Sequence, residues 1–144
     1  MNDFSVSVAK IAQILDLKNF TDNIDLKKIK ITSSDVNRPA LQLTGYFAHF
    51  EQSRIQMIGN VEYAYIQQMS DEEKRIRYSA FLQFEIPCVI FCRDLQPDAI
   101  FIEQAEKNHV PILGTSRPTS EFMAELIYTL AENCLLYTSD AADD

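Results

Sequence analysis

Two short, uninterrupted apolar runs constrain the fold of this chain most strongly. They are "CVIFC" (residues 88–92) and "VPILG" (residues 110–114), and a helical pattern follows each of them. An apolar run of strand length without polar alternation is typical of a strand covered on both faces. Strand, helix, strand and helix joined by short loops form a βαβ unit, whose crossover is right-handed. The second half therefore predicts a parallel sheet in an α/β domain.

The remaining elements are predicted from periodicity and capping signals. Ser7 is placed to cap a short helix, Asn60 caps a second, and Ser70 with Glu73 forms a capping box that opens a third. Pro97 and Asp98 start a helix that ends near Asn108. The last helix is predicted at "TSEFMAELIYTLAEN" (119–133). Period-two alternation predicts strands at "KIKIT" (28–32), "ALQLTGYF" (40–47) and "RIQMIG" (54–59). Together these predict an α/β fold with a mixed, partly parallel sheet.

Composition excludes several classes of partner. The chain has 144 residues, the length of one domain, and a formal net charge of −8. An acidic chain lacks the basic face that nucleic acids and anionic membranes require, so we expect neither partner. It has no apolar stretch of membrane-spanning length and no signal-peptide pattern, which predicts a cytoplasmic protein. Cys88, Cys92 and Cys134 do not form a disulfide framework, and the first two are predicted to be buried free thiols.

Familiar catalytic motifs are missing from the sequence. A P-loop needs G-x-x-x-x-G-K-[ST], but neither Gly45, Gly59 nor Gly114 is followed by lysine. The two histidines, His49 and His109, lack a second ligand at zinc spacing, so no metal site is expected. His109 is interpreted as a surface residue at a helix end. We therefore predict no catalytic residues, and an independent hydrolase that uses Asp35 and His49 is a third hypothesis only.

The stretch "SSDVNRPALQLTGYF" (33–47) is the first candidate site. Asp35 and Asn37 can set a turn by bonding their own backbone, and Pro39 biases Arg38 toward an extended conformation. This predicts a rigid loop that leads into a strand ending near Gly45. An ion pair between Asp35 and Arg38 would make the loop purely structural, whereas free side chains would serve a ligand or an interdomain contact. Tyr46 is included in the candidate loop.

The stretch "GTSRPTS" (114–120) is the second candidate site. It lies where a predicted strand ends and a helix begins, so unpaired N–H groups and a guanidinium are available there. These groups suit an anion, although an ordinary strand-to-helix loop would have the same composition. The candidate anion loop comprises Gly114, Thr115, Ser116 and Arg117.

Four segments together resemble the N-terminal domain of the HPr kinase/phosphorylase family. They are "SSDVNRPALQLTGYFAHF", "RIQMIGNVEYAYI", "IPCVIFC" and "VPILGTSRPTSEFMAEL", which follow one another in the family's order over residues 4–133. Many members of the family carry Gly where Ala40 stands here. The resemblance implies a three-layer α/β sandwich like the nucleotide-binding domain of murein ligases, a likeness of fold that does not transfer the ligand.

The resemblance also implies a function for the full-length protein. The family phosphorylates a serine of the phosphocarrier HPr of the phosphotransferase system with ATP or pyrophosphate, reverses the reaction by phosphorolysis, and so controls carbon catabolite repression. It assembles as a hexamer. Its P-loop, its Mg²⁺ site and its catalytic residues lie in a C-terminal kinase domain that residues 1–133 do not include. The resemblance thus implies a non-catalytic regulatory or assembly domain without a cofactor of its own, partnered by that kinase domain. The alternative is a stand-alone small-ligand or anion-binding module.

The last eleven residues, "CLLYTSDAADD" (134–144), do not fit the domain pattern. They resemble a translated adapter sequence of the kind left at transposon ends in sequencing libraries. We therefore expect residues 1–133 to be the native domain and residues 134–144 to be a non-native tail, with a genuine acidic tail as the alternative.

Overall fold

The fold contains six helices and seven short strands in the part of the chain that the structure describes. A computed structural model of the chain describes the backbone of residues 5–143 and the side chains of residues 5–133. The helices are α1 (Val8–Ile14), α2 (Ala40–Leu43), α3 (Asn60–Gln67), α4 (Asp71–Leu82), α5 (Ala99–Lys107) and α6 (Thr119–Asp143). The strands are β1 (Val6–Ser7), β2 (Lys18–Asn19), β3 (Lys30–Ile31), β4 (Val36–Asn37), β5 (Ile55–Ile58), β6 (Val89–Phe91) and β7 (Ile112–Gly114).

The central sheet has five strands in the order β2-β7-β6-β5-β4. Strands β4 to β7 are parallel, and β2 pairs antiparallel with β7 at one edge. In the register of the centre, Met57 pairs with Ile90, which pairs with Leu113. A separate antiparallel ribbon joins β1 and β3. The predicted α/β class with a mixed, partly parallel sheet is confirmed, and the observed sheet is mostly parallel.

Helices cover both faces of the sheet, which makes three layers. Side chains alternate across β6, so Ile90 faces one hydrophobic cluster whereas Val89 and Phe91 face the other. The first cluster packs the sheet against α1 and α6, through residues such as Ile11 and Leu126. The second cluster contains residues of α2, α3, α4 and α5. Both strand faces are therefore buried, as the uninterrupted apolar runs predict.

The predicted helix starts are largely confirmed. The Ser7 hydroxyl accepts from the Lys10 N–H, and Ser70 with Glu73 forms the reciprocal capping box of α4. The Asp98 carboxylate accepts from the N–H of Phe101 and caps α5. The predicted start of α3 differs by one residue, because Gly59 occupies the cap position and Asn60 is the first helical residue.

The strand predicted from Ala40 to Phe47 is wrong. Residues 40–43 form α2, and the strand of this region is β4, which lies before Arg38 instead of after it. The Leu43 N–H donates to the Pro39 carbonyl, and this hydrogen bond closes a helical turn. The alternating apolar residues of this short span therefore lie on a helix. The predicted strand at 28–32 is also shorter, since only Lys30–Ile31 is extended.

Two large apolar side chains of the helices are exposed. Ile76 of α4 and Ile127 of α6 lie at the surface, and Tyr78 takes the buried position on α4. Helix α6 continues to Asp143. The prediction that residues 134–144 are a non-native tail concerns residues whose side chains the structure does not describe. No helix in the described part of the chain is long and apolar enough to cross a membrane.

Candidate functional site

The Asn37 side chain connects the end of β4 to β5 and α2 by hydrogen bonds. Its side-chain amide donates to Gln56 Oε1 at 2.6 Å and to Gln42 Oε1 at 3.2 Å. Gln56 is fully buried on β5 and Gln42 is buried on α2. A buried amide oxygen without a donor is costly, so Asn37 holds strand and helix in one arrangement. The candidate loop at residues 35–39 is therefore the end of a strand and its turn into a helix, and the predicted connection into a following strand is wrong.

Arg38 forms an ion pair with Glu62 of α3. The Nη2–Oε1 distance is 2.7 Å, and the Glu62 side chain is 3% exposed against 36% for Arg38. The same Glu62 oxygen accepts from the Gly59 N–H at 2.9 Å and so caps α3. Asp35 is not the partner of Arg38, because its carboxylate lies 3.7 Å from Arg54 Nη2. The ion pair considered between Asp35 and Arg38 is replaced by these two separate pairs.

Gly59 is buried at the carboxyl end of β5, where the side chains of Thr119 and Arg38 cover it closely. A methyl group on Gly59 would lie 2.6 Å from Thr119 Oγ1 and 2.8 Å from Arg38 Nη2. Helix α3 begins after Gly59 beneath one face of the sheet, and α6 begins at Thr119 beneath the other. The N-termini of two helices thus flank one point, which Arg38 also reaches. In open α/β sheets, ligands bind in crevices outside the carboxyl ends of the strands.

Two polar atoms of the side chains that cover Gly59 are buried without partners. Among the described residues, neither Arg38 Nε nor Thr119 Oγ1 makes a hydrogen bond. The Thr119 hydroxyl lies close enough to the Cys92 thiol to lower its pKa, but the pair does not meet hydrogen-bond geometry. Buried polar atoms in native proteins nearly always have a partner, so each exception requires an explanation.

Burial is the main influence on the pKa values of the two thiols that the structure describes. Burial raises the pKa of Cys88 to about 12 and that of Cys92 to about 11. At Cys92 the Thr119 hydroxyl and the guanidinium groups of Arg38 and Arg93 oppose this rise in pKa. Both thiols are free and buried, as predicted, while the side chain of Cys134 lies outside the described residues.

Pro39, Gly45 and Tyr46 complete the first candidate loop. Pro39 is buried and begins α2. Gly45 has a φ of 96°, a left-handed conformation that favours glycine, and the flexible end of the Arg77 side chain lies beside it. Tyr46 is half exposed. Their proposed role in a ligand or interdomain contact stays a prediction.

The Gly114 loop lies at the same edge of the sheet. Thr115 Oγ1 accepts from the Arg117 N–H, and the Arg117 guanidinium bonds the Leu15 carbonyl and pairs with Glu125 at 3.3 Å. Gly114 packs beneath Phe20. A cavity of about 150 Å³ borders the loop. Gly114, Thr115 and Ser116 line one side of it, and its charged lining residues are Asp16, Asp94 and Lys18. The geometry does not favour an anion here, and the anion loop stays a prediction.

The two histidines do not lie at the carboxyl edge of the sheet. His109 follows α5 with a left-handed φ of 60° and borders a cavity of about 550 Å³ at the amino edge of the sheet. The carboxyl ends of α4 and α5 lie at that edge, and Lys28, Lys30 and Glu85 also line the cavity. His49 is exposed in the segment between α2 and β5. Among the described residues, no group of three or more His, Cys, Asp or Glu could hold a metal ion.

Sequence reasoning missed Glu62 and Thr119. The spacing of Gly59 and Glu62 repeats that of Ser70 and Glu73, so the capping-box pattern was the available signal for Glu62. Thr119 lies within the "GTSRPTS" stretch, but nothing in the local sequence distinguishes it from its neighbours. Its proximity to Gly59 depends on the parallel order of the strands, which no local pattern reports.

The family comparison identifies this fold. The family model described as the HPr serine kinase N terminus matches residues 6–130. The chain belongs to the HPr serine kinase N-terminal family. Its curated relatives named HPr kinase/phosphorylase include proteins of Lachnoclostridium phytofermentans, 44% identical over 124 residues, and Caldicellulosiruptor bescii, 37% identical over 123 residues. These matches cover 86% and 85% of this chain, but only 40% of each relative.

A solved structure outside this family has a similar fold. It contains the CBS and DRTGG domains of the regulatory region of Clostridium perfringens pyrophosphatase in complex with diadenosine tetraphosphate. The TM-score is 0.57 at 18% identity, and the match covers 84% of this chain and 45% of that one. At this identity the likeness concerns the fold alone. Within the HPr serine kinase N-terminal family, this chain thus spans about two fifths of the relatives that it matches.

Proposed function

We propose that this chain is the non-catalytic regulatory or assembly domain of a bifunctional kinase/phosphorylase. The full-length enzyme would phosphorylate and dephosphorylate a serine of HPr in carbon catabolite repression, as a hexamer in the cytoplasm. ATP and Mg²⁺ would bind the C-terminal kinase domain, and the present domain alone would be inactive. The observation that carries the proposal is the family match over residues 6–130, in relatives whose length extends far beyond it.

An uncharged apolar surface on α2 and α3 supports a role in assembly. Residues 39–50 carry no Lys, Arg, Asp or Glu, and residues 59–70 carry only Glu62, which is buried. Helix α2 contacts α3, and the exposed apolar side chains of this region are Leu41, Tyr46, Val61 and Tyr65. On a chain with a net charge of −8, such a surface can meet another subunit without like-charge repulsion.

The test uses the full-length enzyme, with variants in this domain. We expect Arg38→Ala to change hexamer assembly or regulation more than the rate of HPr phosphorylation, with Arg75→Ala on the exposed side of α4 as the matched control. Val61→Asp, at a side chain that is 69% exposed, should weaken the hexamer, whereas Ile14→Asp on α1 should not. Sedimentation velocity and turnover measure the two effects separately. Loss of the chemical step in an intact hexamer would refute the non-catalytic assignment.

The source DNA tests the domain organisation directly. We propose that residues 134–144 are derived from an adapter and that the native frame continues after Asn133. Sequencing beyond that codon should reveal a continuing frame with a G-x-x-x-x-G-K-[ST] loop. A genuine "CLLYTSDAADD" followed by a stop codon would instead favour a free-standing domain.

The second candidate is a small-ligand or anion-binding module. Its support is the position of Arg38 and the Gly114 loop at one edge of the sheet, where ligands bind in related architectures. Titration with nucleotides and sugar phosphates, followed by backbone chemical shifts at both loops, would detect such a ligand. Unchanged spectra across the panel would count against this candidate.

A further inference from the structure

Helix α6 carries apolar side chains on two opposite sides. Its inner side packs against the sheet in the first hydrophobic cluster, where Phe122 and Leu126 are fully buried. Residues three, four and seven positions apart lie on one side of a helix. A second set with this spacing lies opposite the buried one, and we call it the outer stripe: Ala124, Ile127, Tyr128 and Ala131. A surface helix normally carries polar residues on its outer side, so this stripe requires an explanation.

The outer stripe faces solvent in this domain. Ile127 is 40% exposed and Tyr128 is 66% exposed, Ala124 is exposed as well, and Ala131 is half-buried. The short alanine side chains let a neighbouring element approach the helix closely. Tyrosine combines a large apolar ring with a polar hydroxyl, and it is enriched in the cores of protein interfaces. The outer stripe therefore has the composition of a contact surface.

Glutamates line one edge of the outer stripe. Glu121, Glu125 and Glu132 follow one another along the same side of α6, and Glu125 pairs with Arg117. If two copies packed their stripes together with antiparallel helices, a two-fold axis would place both rows of glutamates on the same side of the contact, where like charges repel. A parallel pair would align the two helix dipoles unfavourably. The stripe therefore suits a different surface, with Lys or Arg opposite the glutamates.

The outer stripe lies close to the point beyond which the longer relatives continue. The family model, described as an N terminus, matches to residue 130, and the 124 residues matched to the Lachnoclostridium phytofermentans protein are 40% of it. Roughly 180 residues of that relative lie outside the match, which is the size of one further domain. At about 1.5 Å per residue, Asn133 is about 8 Å along the helix axis from Tyr128. A domain of about 180 residues has a radius of gyration of about 16 Å, so one that begins soon after Asn133 is wide enough to reach the stripe.

We propose that the outer stripe is the docking surface for the domain that follows residue 133 in the same polypeptide chain. This inference rests on the proposed function, which requires such a domain. The contact is separate from the apolar surface on α2 and α3, which we assign to another subunit. Helices α3 and α6 pack on opposite faces of the sheet, so the two contacts do not compete for one surface.

The experiment is hydroxyl-radical footprinting, read by mass spectrometry, of the 144-residue chain and of the full-length enzyme. The full-length enzyme is measured at concentrations above and below its dissociation into subunits. Tyr128 should react roughly fivefold more slowly in the full-length enzyme at both concentrations, because a side chain that is 66% exposed becomes largely buried. Tyr46 reports on the subunit contact and should be protected only in the assembled enzyme. Ile14 on α1, which is 46% exposed, is the reference that neither contact covers.

A substitution within the outer stripe tests the contact itself. Ala124→Arg places a long charged side chain in the stripe and should restore the Tyr128 reaction rate in the full-length enzyme to that of the 144-residue chain. Gln13→Arg, at an exposed position of α1, is the matched control and should leave Tyr128 protected. Since both positions are exposed, neither variant should change the urea midpoint of the 144-residue chain.

Two results would overturn the proposal. Equal Tyr128 rates in the 144-residue chain and the full-length enzyme would show that the following domain does not cover the stripe. Protection of Tyr128 that disappears on dissociation would assign the stripe to a second copy of the chain. Either result leaves the proposed function intact, whereas a stop codon directly after residue 144 in the source DNA would refute the proposed function and this inference together.

Discussion

Replacement of Glu62 by glutamine tests the ion pair between Glu62 and Arg38 at the start of α3. Glu62 Oε1 accepts from Arg38 Nη2 at 2.7 Å and from the Gly59 N–H at 2.9 Å, and its side chain is 3% exposed. Hydrogen bonds to a charged group contribute roughly 1.5–3 kcal/mol and neutral ones about 1 kcal/mol. Two bonds that lose their charge would thus cost about 2 kcal/mol. Partial exposure of Arg38 and relief of carboxylate desolvation reduce this to about 1–2 kcal/mol.

The chain contains a matched control for this substitution. Glu73 makes the same capping contact with the Ser70 N–H at 3.1 Å, but it is exposed and has no arginine partner among the described residues. Glu73→Gln should therefore cost only a few tenths of a kcal/mol. Urea unfolding followed by circular dichroism would measure both variants. For an m-value of about 1.5 kcal/mol/M, the midpoint of Glu62→Gln should fall by roughly 1 M.

A double-mutant cycle separates the ion pair from the helix cap. Combined with Arg38→Gln, the Glu62→Gln substitution should show a coupling energy of about 1 kcal/mol, because each single variant already removes the charge pair. A cost of Glu62→Gln no greater than that of Glu73→Gln, or a coupling energy of zero, would refute the argument that this pair is energetically distinct.

Three further predictions concern the framework around the site. Asn37→Ala leaves the buried Gln56 oxygen without its donor and should lower the free energy of unfolding by about 2 kcal/mol, measured by urea unfolding. Tyr78→Phe removes the hydrogen bond from a buried hydroxyl to the Asp98 carboxylate at 2.8 Å and should lower the free energy of unfolding by roughly 1.5–3 kcal/mol in the same assay. Burial raises the pKa of Cys88 to about 12 from 9.0, so the folded chain keeps a proton that the unfolded chain loses above pH 9. Stability should fall as pH rises from 9 toward 12, and Cys88→Ala should flatten this fall by up to about 1.4 kcal/mol per pH unit. An unchanged slope would show that the thiol ionises equally in both states.

Local signals predicted the second half of the fold well for a physical reason. The apolar runs at β6 and β7 and the capping residues Ser70 and Asp98 each determine one element through nearby atoms. Residues 40–43 were misassigned because four residues with alternating apolar side chains fit either one helical turn or a short strand. Contacts from other elements decided between them, since Gln42 bonds Asn37 and Leu43 packs in the core.

That single misassignment also explains why the site was only half predicted. A strand placed after Arg38 puts this residue at the amino end of a strand, at the edge of the sheet opposite to the ends of β5 and β6. The structure instead places Arg38 after β4, and carboxyl ends of parallel strands lie at the same edge. Had β4 been recognised, the βαβ topology would have predicted Arg38 next to Gly59, and the Gly59–Glu62 spacing would then have supplied its partner. Topology, and not the identity of any single residue, brings the guanidinium to the start of α3.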